Sequence, residues 1–92
     1  MKINKFPQYN ISKKSCLLMP FEDFESLLDE LNPHIKVEID VDGLHYINYD
    51  EDRVVEEDEI CDLLSDAFET RVSSVHIDDY DWTGVWIVYS EV

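Results

Sequence analysis

The clearest hydrophobic pattern in the chain lies in residues 50–69, where apolar residues recur at the spacing of one buried helical stripe. The other positions of this segment hold ten carboxylates and one basic residue, Arg53. We expect the apolar stripe to be buried and the carboxylates to face solvent. The segment therefore predicts an acidic helix preceded by an acidic entry segment at residues 50–52. The residues of the stripe are Ile60, Leu63, Leu64, Ala67 and Phe68.

A first helix is predicted at residues 21–31, where five apolar residues again fall on one face. Pro20 suits the start of a helix, and Pro33 pushes Asn32 out of the helical region, so both ends are marked. Alternation of apolar and polar residues, or short apolar runs, predicts strands elsewhere. The predicted strands cover residues 16–19, 35–41, 44–49, 71–78 and 85–90.

The hairpin that turns near Gly43 has two possible registers, which expose opposite faces of the returning strand. A two-residue turn places Tyr46 opposite Ile39. A three-residue loop with a left-handed Gly43 places Ile47 opposite Val37. The second arrangement keeps one face more uniformly apolar, so we predict it.

The order helix, strand, glycine turn, strand occurs twice, and the strands before the turns contain the similar sequences VEID and VHID. With the strand at 16–19 in front, the order is βαββαββ, which contains the βαββαβ of a ferredoxin-like sandwich. We predict an α+β fold of two layers, an antiparallel sheet with both helices on one face, either ferredoxin-like or a duplicated αββ unit. Residues 1–14 are predicted to be a basic N-terminal tail or arm, and residues 15–92 a single acidic domain.

Charge is distributed unevenly along the 92 residues, whose net charge is −15. Residues 1–20 contain four lysines and no acid, whereas residues 21–92 contain all 22 acids against Lys36, Arg53 and Arg71. Such a body repels nucleic acid and anionic lipid and attracts basic protein surfaces. The sequence lacks a signal peptide and an apolar run long enough to span a bilayer. We therefore expect a soluble, cytoplasmic protein whose cysteines, Cys16 and Cys61, are reduced.

No motif in the sequence indicates an enzyme. GxSxG and glycine-rich phosphate loops are absent, and neither cysteine belongs to a CxxC pair. The acidic runs lack glycine where a calcium loop needs it. The element order resembles that of an RNA-recognition motif, but the required Lys/Arg-Gly-aromatic pattern is missing and the charge has the wrong sign. We expect no catalytic residue, no cofactor and no metal site.

The acids of the second predicted helix are repeated without basic partners. Asp58, Asp62 and Asp66 follow one another at i, i+4 spacing, where like charges destabilise a helix. This loss of stability indicates a surface kept for a partner, and its repeated charges are similar to those of a nucleic-acid strand. The loop at residues 78–82 adds acids and an aromatic anchor. The predicted partner-binding residues are Asp50, Glu51, Asp52, Glu56, Asp58, Glu59, Asp62, Asp66, Glu69, Asp78, Asp79, Asp81 and Trp82.

In size, acidity and absence of enzymatic motifs, the chain resembles the small phage-encoded inhibitors of the anti-CRISPR and DNA-mimic type. The resemblance implies a non-enzymatic inhibitor that occupies the basic nucleic-acid-binding channel of a nuclease, such as a CRISPR effector nuclease, in a bacterial host cell. It implies a monomer or homodimer with no direct contact to nucleic acid or membrane. Two alternatives remain open: an immunity protein that neutralises a toxin nuclease, and a homo-oligomeric accessory domain joined through an exposed sheet face.

Overall fold

The computed structural model describes residues 8–11, 14–78 and 83–90. Within these residues it confirms the α+β class and the predicted succession of helices and strands, and it adds two strands that the sequence did not predict. The helices are α1 (Phe21–Leu31) and α2 (Glu57–Phe68). The strands are β1 (Gln8–Ile11), β2 (Lys14–Pro20), β3 (Ile35–Asp40), β4 (Gly43–Asn48), β5 (Arg53–Val55), β6 (Arg71–Ile77) and β7 (Gly84–Ser90).

The described strands form two antiparallel sheets, with the orders β1-β2-β7-β6 and β3-β4-β5, where one sheet was predicted. Strand β5 explains part of this difference. It lies in the segment that was expected to lead into the acidic helix, and it pairs with β4 so that Val55 lies opposite Tyr46. Because β3 and β5 occupy the two sides of β4, the β6-β7 hairpin cannot pair with β4, and it pairs with β2 instead.

The outer edge of β6 is covered by side chains of α2. The backbone N–H of Val72 donates to Ser65 Oγ at 2.9 Å, and that of Val75 donates to Glu57 Oε1 at 2.9 Å. Backbone groups at a sheet edge otherwise remain available for pairing with another strand. The helix therefore attaches to the sheet through hydrogen bonds as well as through its apolar stripe.

Both helices have the buried stripes that the sequence predicted. Helix α1 has the predicted bounds and ends where the N–H of Asn32 donates to the carbonyl of Leu28 at 2.8 Å. Helix α2 ends at Phe68, and the next residue, Glu69, adopts the left-handed conformation common after a helix. Of the helices in the described residues, neither is long and apolar enough to cross a bilayer.

The apolar faces of both helices and both sheets pack into a shared core. The ring of Phe24 on α1 meets the ring of Tyr46 on β4 edge to face, with the ring centroids 6.4 Å apart. Removing these side chains from water drives the assembly of the two sheets. The largest fully buried side chains are Phe24, Leu17, Met19, Leu28, Ile60, Leu64, Ile87 and Val85.

The predicted register of the β3-β4 hairpin was wrong. Val37 lies opposite Tyr46, not opposite Ile47, and the turn consists of residues 41 and 42. The alternative pairing of Tyr46 with Ile39 has the correct faces but is displaced by two residues. Tyr46 faces inward because its ring packs against α1, and this contact outweighs a uniformly apolar strand face.

Strand β6 contains a bulge that the sequence did not reveal. Val72 pairs with Tyr89 and Ser74 pairs with Val88, so Ser73 is the extra residue. The bulge places Val72 and Val75 on the same buried side although they are three residues apart. The predicted simple alternation, with these two valines on opposite sides, was wrong for this reason.

Strand β1 lies within the predicted N-terminal tail or arm. It pairs with β2 in the register from Gln8 opposite Leu17 to Ile11 opposite Lys14. Residues 8–11 therefore form an edge strand of the four-stranded sheet, which was not predicted.

Candidate partner-binding surface

The outer side of α2 carries a row of exposed carboxylates one helical turn apart. Asp58, Asp62 and Asp66 are exposed because the buried residues of α2 occupy the opposite side of the helix. In the described part of the chain, none of these three carboxylates forms an ion pair. They are therefore solvated like charges that repel one another. We call these three residues, together with Glu69 at the end of the helix, the acidic face.

Residues 50–52 form the turn between β4 and β5. Oδ1 of the buried Asn48 accepts a hydrogen bond from the N–H of Glu51 at 3.1 Å. Asp50 approaches His34 Nδ1 at 2.6 Å, and Asp52 adopts a left-handed φ of 50°. The three carboxylates are exposed, and the Asn48 contact fixes the turn that carries them.

Arg53 joins this turn to α2. Its Nε donates to Glu51 Oε2, while Nη1 and Nη2 donate to the two carboxylate oxygens of Glu59 at 3.2 Å each. The hydrogen bonds to Glu51, and then those to Glu59, raise the pKa of Arg53 above its ordinary value. The expectation that Glu59 lacks a basic partner was therefore wrong. Since Arg53 offsets part of the charge of these two glutamates, the uncompensated charge of α2 is concentrated on the acidic face.

A shallow depression of about 320 Å³ connects the turn with the middle of α2. Glu51 and Glu59 line it together with Asp62 and Asp66, although the first and last of these acids are 15 residues apart in sequence. The structure thus brings together four of the predicted partner-binding residues. The end of α1 also borders the depression, through Asn32.

The other predicted residues are placed differently. Glu56 is exposed and directly precedes the first turn of α2. Asp78 is half-buried at the end of β6, and its N–H donates to the carbonyl of the first residue of β7 at 2.8 Å. Asp79, Asp81 and Trp82 lie outside the described residues, so their part in the surface stays a prediction.

A second polar site, which the sequence did not indicate, is a groove of about 390 Å³ between the start of β4 and the end of β6. Tyr46 lines this groove with a side chain that is only 4% exposed, and its hydroxyl has no hydrogen-bond partner among the described residues. Burial, and then the negative charge of Glu57, raise the pKa of the Tyr46 hydroxyl. The hydroxyl therefore remains protonated at neutral pH.

Glu57 was left out of the predicted surface, and the structure separates it from the neighbouring acids. Its carboxylate turns toward β6, where it accepts the N–H of Val75, and it also lines the groove. The sequence contains a signal for this orientation, because Glu57 precedes Cys61 by four residues and Leu64 by seven. These spacings place Glu57 on the side of α2 that carries the buried residues, although Glu57 itself is exposed.

Both cysteines are buried free thiols. Burial, followed by the charges of Glu57 and Asp58, raises the pKa of the Cys61 thiol to about 11. The reactive form of cysteine is the thiolate, so Cys61 is a weak nucleophile at neutral pH.

The chemistry offered by the acidic face and the groove is the binding of positive charge. Exposed carboxylates attract cationic groups, and a phenol beside a carboxylate can accept hydrogen bonds from them. Over the described ranges, no group of three or more His, Cys, Asp or Glu side chains is placed to hold a metal ion.

Comparisons of the chain with protein-family models, with curated proteins and with solved structures found no match.

Proposed function

We propose that the protein is a non-enzymatic inhibitor that inserts its acidic face into the basic nucleic-acid-binding channel of a nuclease, such as a CRISPR effector. The observation that carries the proposal is the row of Asp58, Asp62 and Asp66, exposed and without ion pairs in the described residues. Each like-charged pair at this spacing destabilises a helix by about 0.2–0.5 kcal/mol. A partner rich in Lys and Arg removes that repulsion when it binds.

The mechanism follows from the spacing and the fixed position of the charges. Side chains one helical turn apart are separated by about 5–6 Å, so α2 offers a regular row of negative charge as a nucleic-acid strand does. A channel whose cations hold phosphates accepts such a row through complementary potentials and the release of counterions. The Arg53 contacts hold the turn of residues 50–52 beside α2, which widens the negative surface beyond one helix.

The test is inhibition of purified nucleases, CRISPR effectors among them, by the wild-type protein and by the triple variant Asp58→Asn, Asp62→Asn, Asp66→Asn. We expect the wild type to inhibit DNA cleavage by at least one of them, to compete with DNA and to bind more weakly as salt rises. The triple variant should lose inhibition, and its plot of log affinity against log salt should be shallower by about 2 to 3.

A matched control separates the acidic face from net charge. The variant Glu22→Gln, Glu25→Gln, Glu30→Gln removes three exposed carboxylates from α1 and changes the net charge by the same amount. It should inhibit nearly as well as the wild type. If both triple variants lose inhibition equally, a specific role for the acidic face is refuted. If the affinity of the wild type changes neither with salt nor with added DNA, mimicry of nucleic acid is refuted.

A second candidate, a homo-oligomeric accessory domain, is favoured by the outer face of the β3-β4-β5 sheet. Val54 is 56% exposed and lies opposite the half-buried Ile47, while Tyr49 is 57% exposed and donates its hydroxyl to Glu38 at 3.0 Å. Apolar side chains on an open sheet face are suited to a protein contact. Light scattering over a hundredfold range of concentration tests this candidate, and a constant monomer mass counts against it.

A further inference from the structure

The groove between β4 and β6 combines a buried hydroxyl with a carboxylate that has spare acceptor capacity. The Tyr46 hydroxyl has no partner among the described residues, and burying a polar group in this way is unfavourable unless something else bonds to it. Within the same residues, Glu57 uses Oε1 to accept the N–H of Val75 and has its other oxygen available. Both residues line the same groove.

The walls of the groove are suited to an elongated side chain. Leu44 and Ile77 provide apolar surface on opposite strands, and Gly43 leaves space because it has no side chain. A Cβ added at this position by substitution would lie 3.7 Å from Ile77 Cγ2. Asp42 adds a second carboxylate to the lining. The groove volume lies near the lower end of the range of about 300–1,000 Å³ usual for ligand pockets.

We propose that this groove binds the guanidinium group of an arginine from the basic partner, an inference that rests on the proposed function for the source of the arginine. A guanidinium presents several N–H donors in one plane, so it can donate to the Glu57 carboxylate and the Tyr46 oxygen together. Its aliphatic stem then lies along Leu44 and Ile77. A lysine ammonium is a compact point charge without this planar fork. The partner thus contacts two sites, the acidic face and the groove.

The direct test uses no nuclease. The isotopically labelled full chain is titrated with N-acetyl-L-arginine amide while amide NMR signals are followed, with N-acetyl-L-citrulline amide as a neutral probe of nearly the same shape. We expect saturable shifts of the Gly43, Leu44 and Val75 amides with the arginine probe alone. The absence of saturable shifts, or equal shifts with citrulline, overturns the inference.

Two variants assign the binding to the groove. Glu57→Gln keeps an oxygen that can accept the Val75 N–H but removes the charge, and it should weaken binding of the arginine probe about tenfold or more. Tyr46→Phe removes one hydroxyl and should weaken binding roughly 2- to 12-fold without lowering the Tm, since that hydroxyl has no partner in the described protein. Unchanged binding in both variants refutes the groove as the site.

The acidic-face triple variant separates this inference from the proposed function. It should bind the arginine probe within about threefold of the wild type, because screened charges outside the groove contribute weakly. If its affinity for the arginine probe falls as far as that of Glu57→Gln, the total negative charge of the protein binds the probe and the groove inference is wrong. Intact probe binding by a wild-type protein that inhibits no nuclease refutes the proposed function alone.

Discussion

Replacing Asp66 by lysine should stabilise the free protein and weaken its binding to the proposed basic partner. Asp66 follows Asp62 by four residues and precedes Glu69 by three, so it takes part in two like-charge pairs on an exposed surface. A lysine turns both pairs into attractive ones. The last turn of α2 contains no basic residue, so the lysine also complements the helix dipole.

The magnitude follows from these contacts. Removing two repulsions and adding two attractions, each about 0.2–0.5 kcal/mol, gives about 0.8–2 kcal/mol, and the dipole adds about 0.3–1 kcal/mol at low salt. Allowing for the solvent exposure of these side chains, we expect a gain of about 1–2 kcal/mol in the free energy of unfolding. A domain of this size gains roughly 4–8 °C in Tm per kcal/mol.

The assay is urea unfolding followed by tryptophan fluorescence in 20 mM and 1 M NaCl. The gain for Asp66→Lys should fall by more than half at high salt, where the Debye length is about 3 Å. The control Asp66→Asn removes the two repulsions without adding an attraction, and this should gain about 0.4–1 kcal/mol. If Asp66→Lys is no more stable than the wild type at low salt, the row of acids does not strain the helix and the argument for an external partner fails.

Three further predictions concern other contacts. Ser65→Ala leaves the Val72 N–H without its acceptor and should lower the free energy of unfolding by about 1–3 kcal/mol, with faster hydrogen exchange at Val72; an unchanged exchange rate would contradict the observed bond. The folded pKa of Cys61, about 11, lies above its ordinary value, so its contribution to stability is complete below about pH 9 and is lost as pH rises towards 11. Urea unfolding at pH 8, 9 and 10 should show this decline, and Cys61→Ala should flatten it; an equal decline in that variant would assign the effect to other groups. Arg53→Gln should elute from an anion exchanger at higher salt than Arg71→Gln, which changes the net charge equally, because Arg53 pairs with two acids beside the acidic face. Coelution of the two variants would show that total charge alone controls retention.

The sequence predicted the parts of the fold that depend on long periodic patterns. Helix α1 was predicted with its observed bounds because five apolar positions agree with proline signals at both ends. Strand β5 was missed because three residues cannot display a period, and its arginine belongs to a charged segment. The β3-β4 register depends on one aromatic contact between distant elements, which no local pattern contains.

The candidate site was predictable to a similar extent. Helical spacing correctly predicted that Asp58, Asp62 and Asp66 lie on the exposed side of α2. The contact of Arg53 with Glu59 depends on the turn that returns β5 beside α2, so a residue pattern could not reveal it. The inward orientation of Glu57 was recognisable from its place on the apolar stripe, but its bond to the edge of β6 required the three-dimensional arrangement.

The attachment of α2 through Glu57 and Ser65 places its hydrogen bonds to β6 on one side of the helix. Both anchoring residues accept N–H groups of β6, whereas Asp62 and Asp66 are exposed and border the depression beside the turn of residues 50–52. The outward residues can therefore be exchanged without removing these hydrogen bonds, while the anchors and the core stay constant. This separation of the two sides within a single helix offers protein engineers a position for a randomised library.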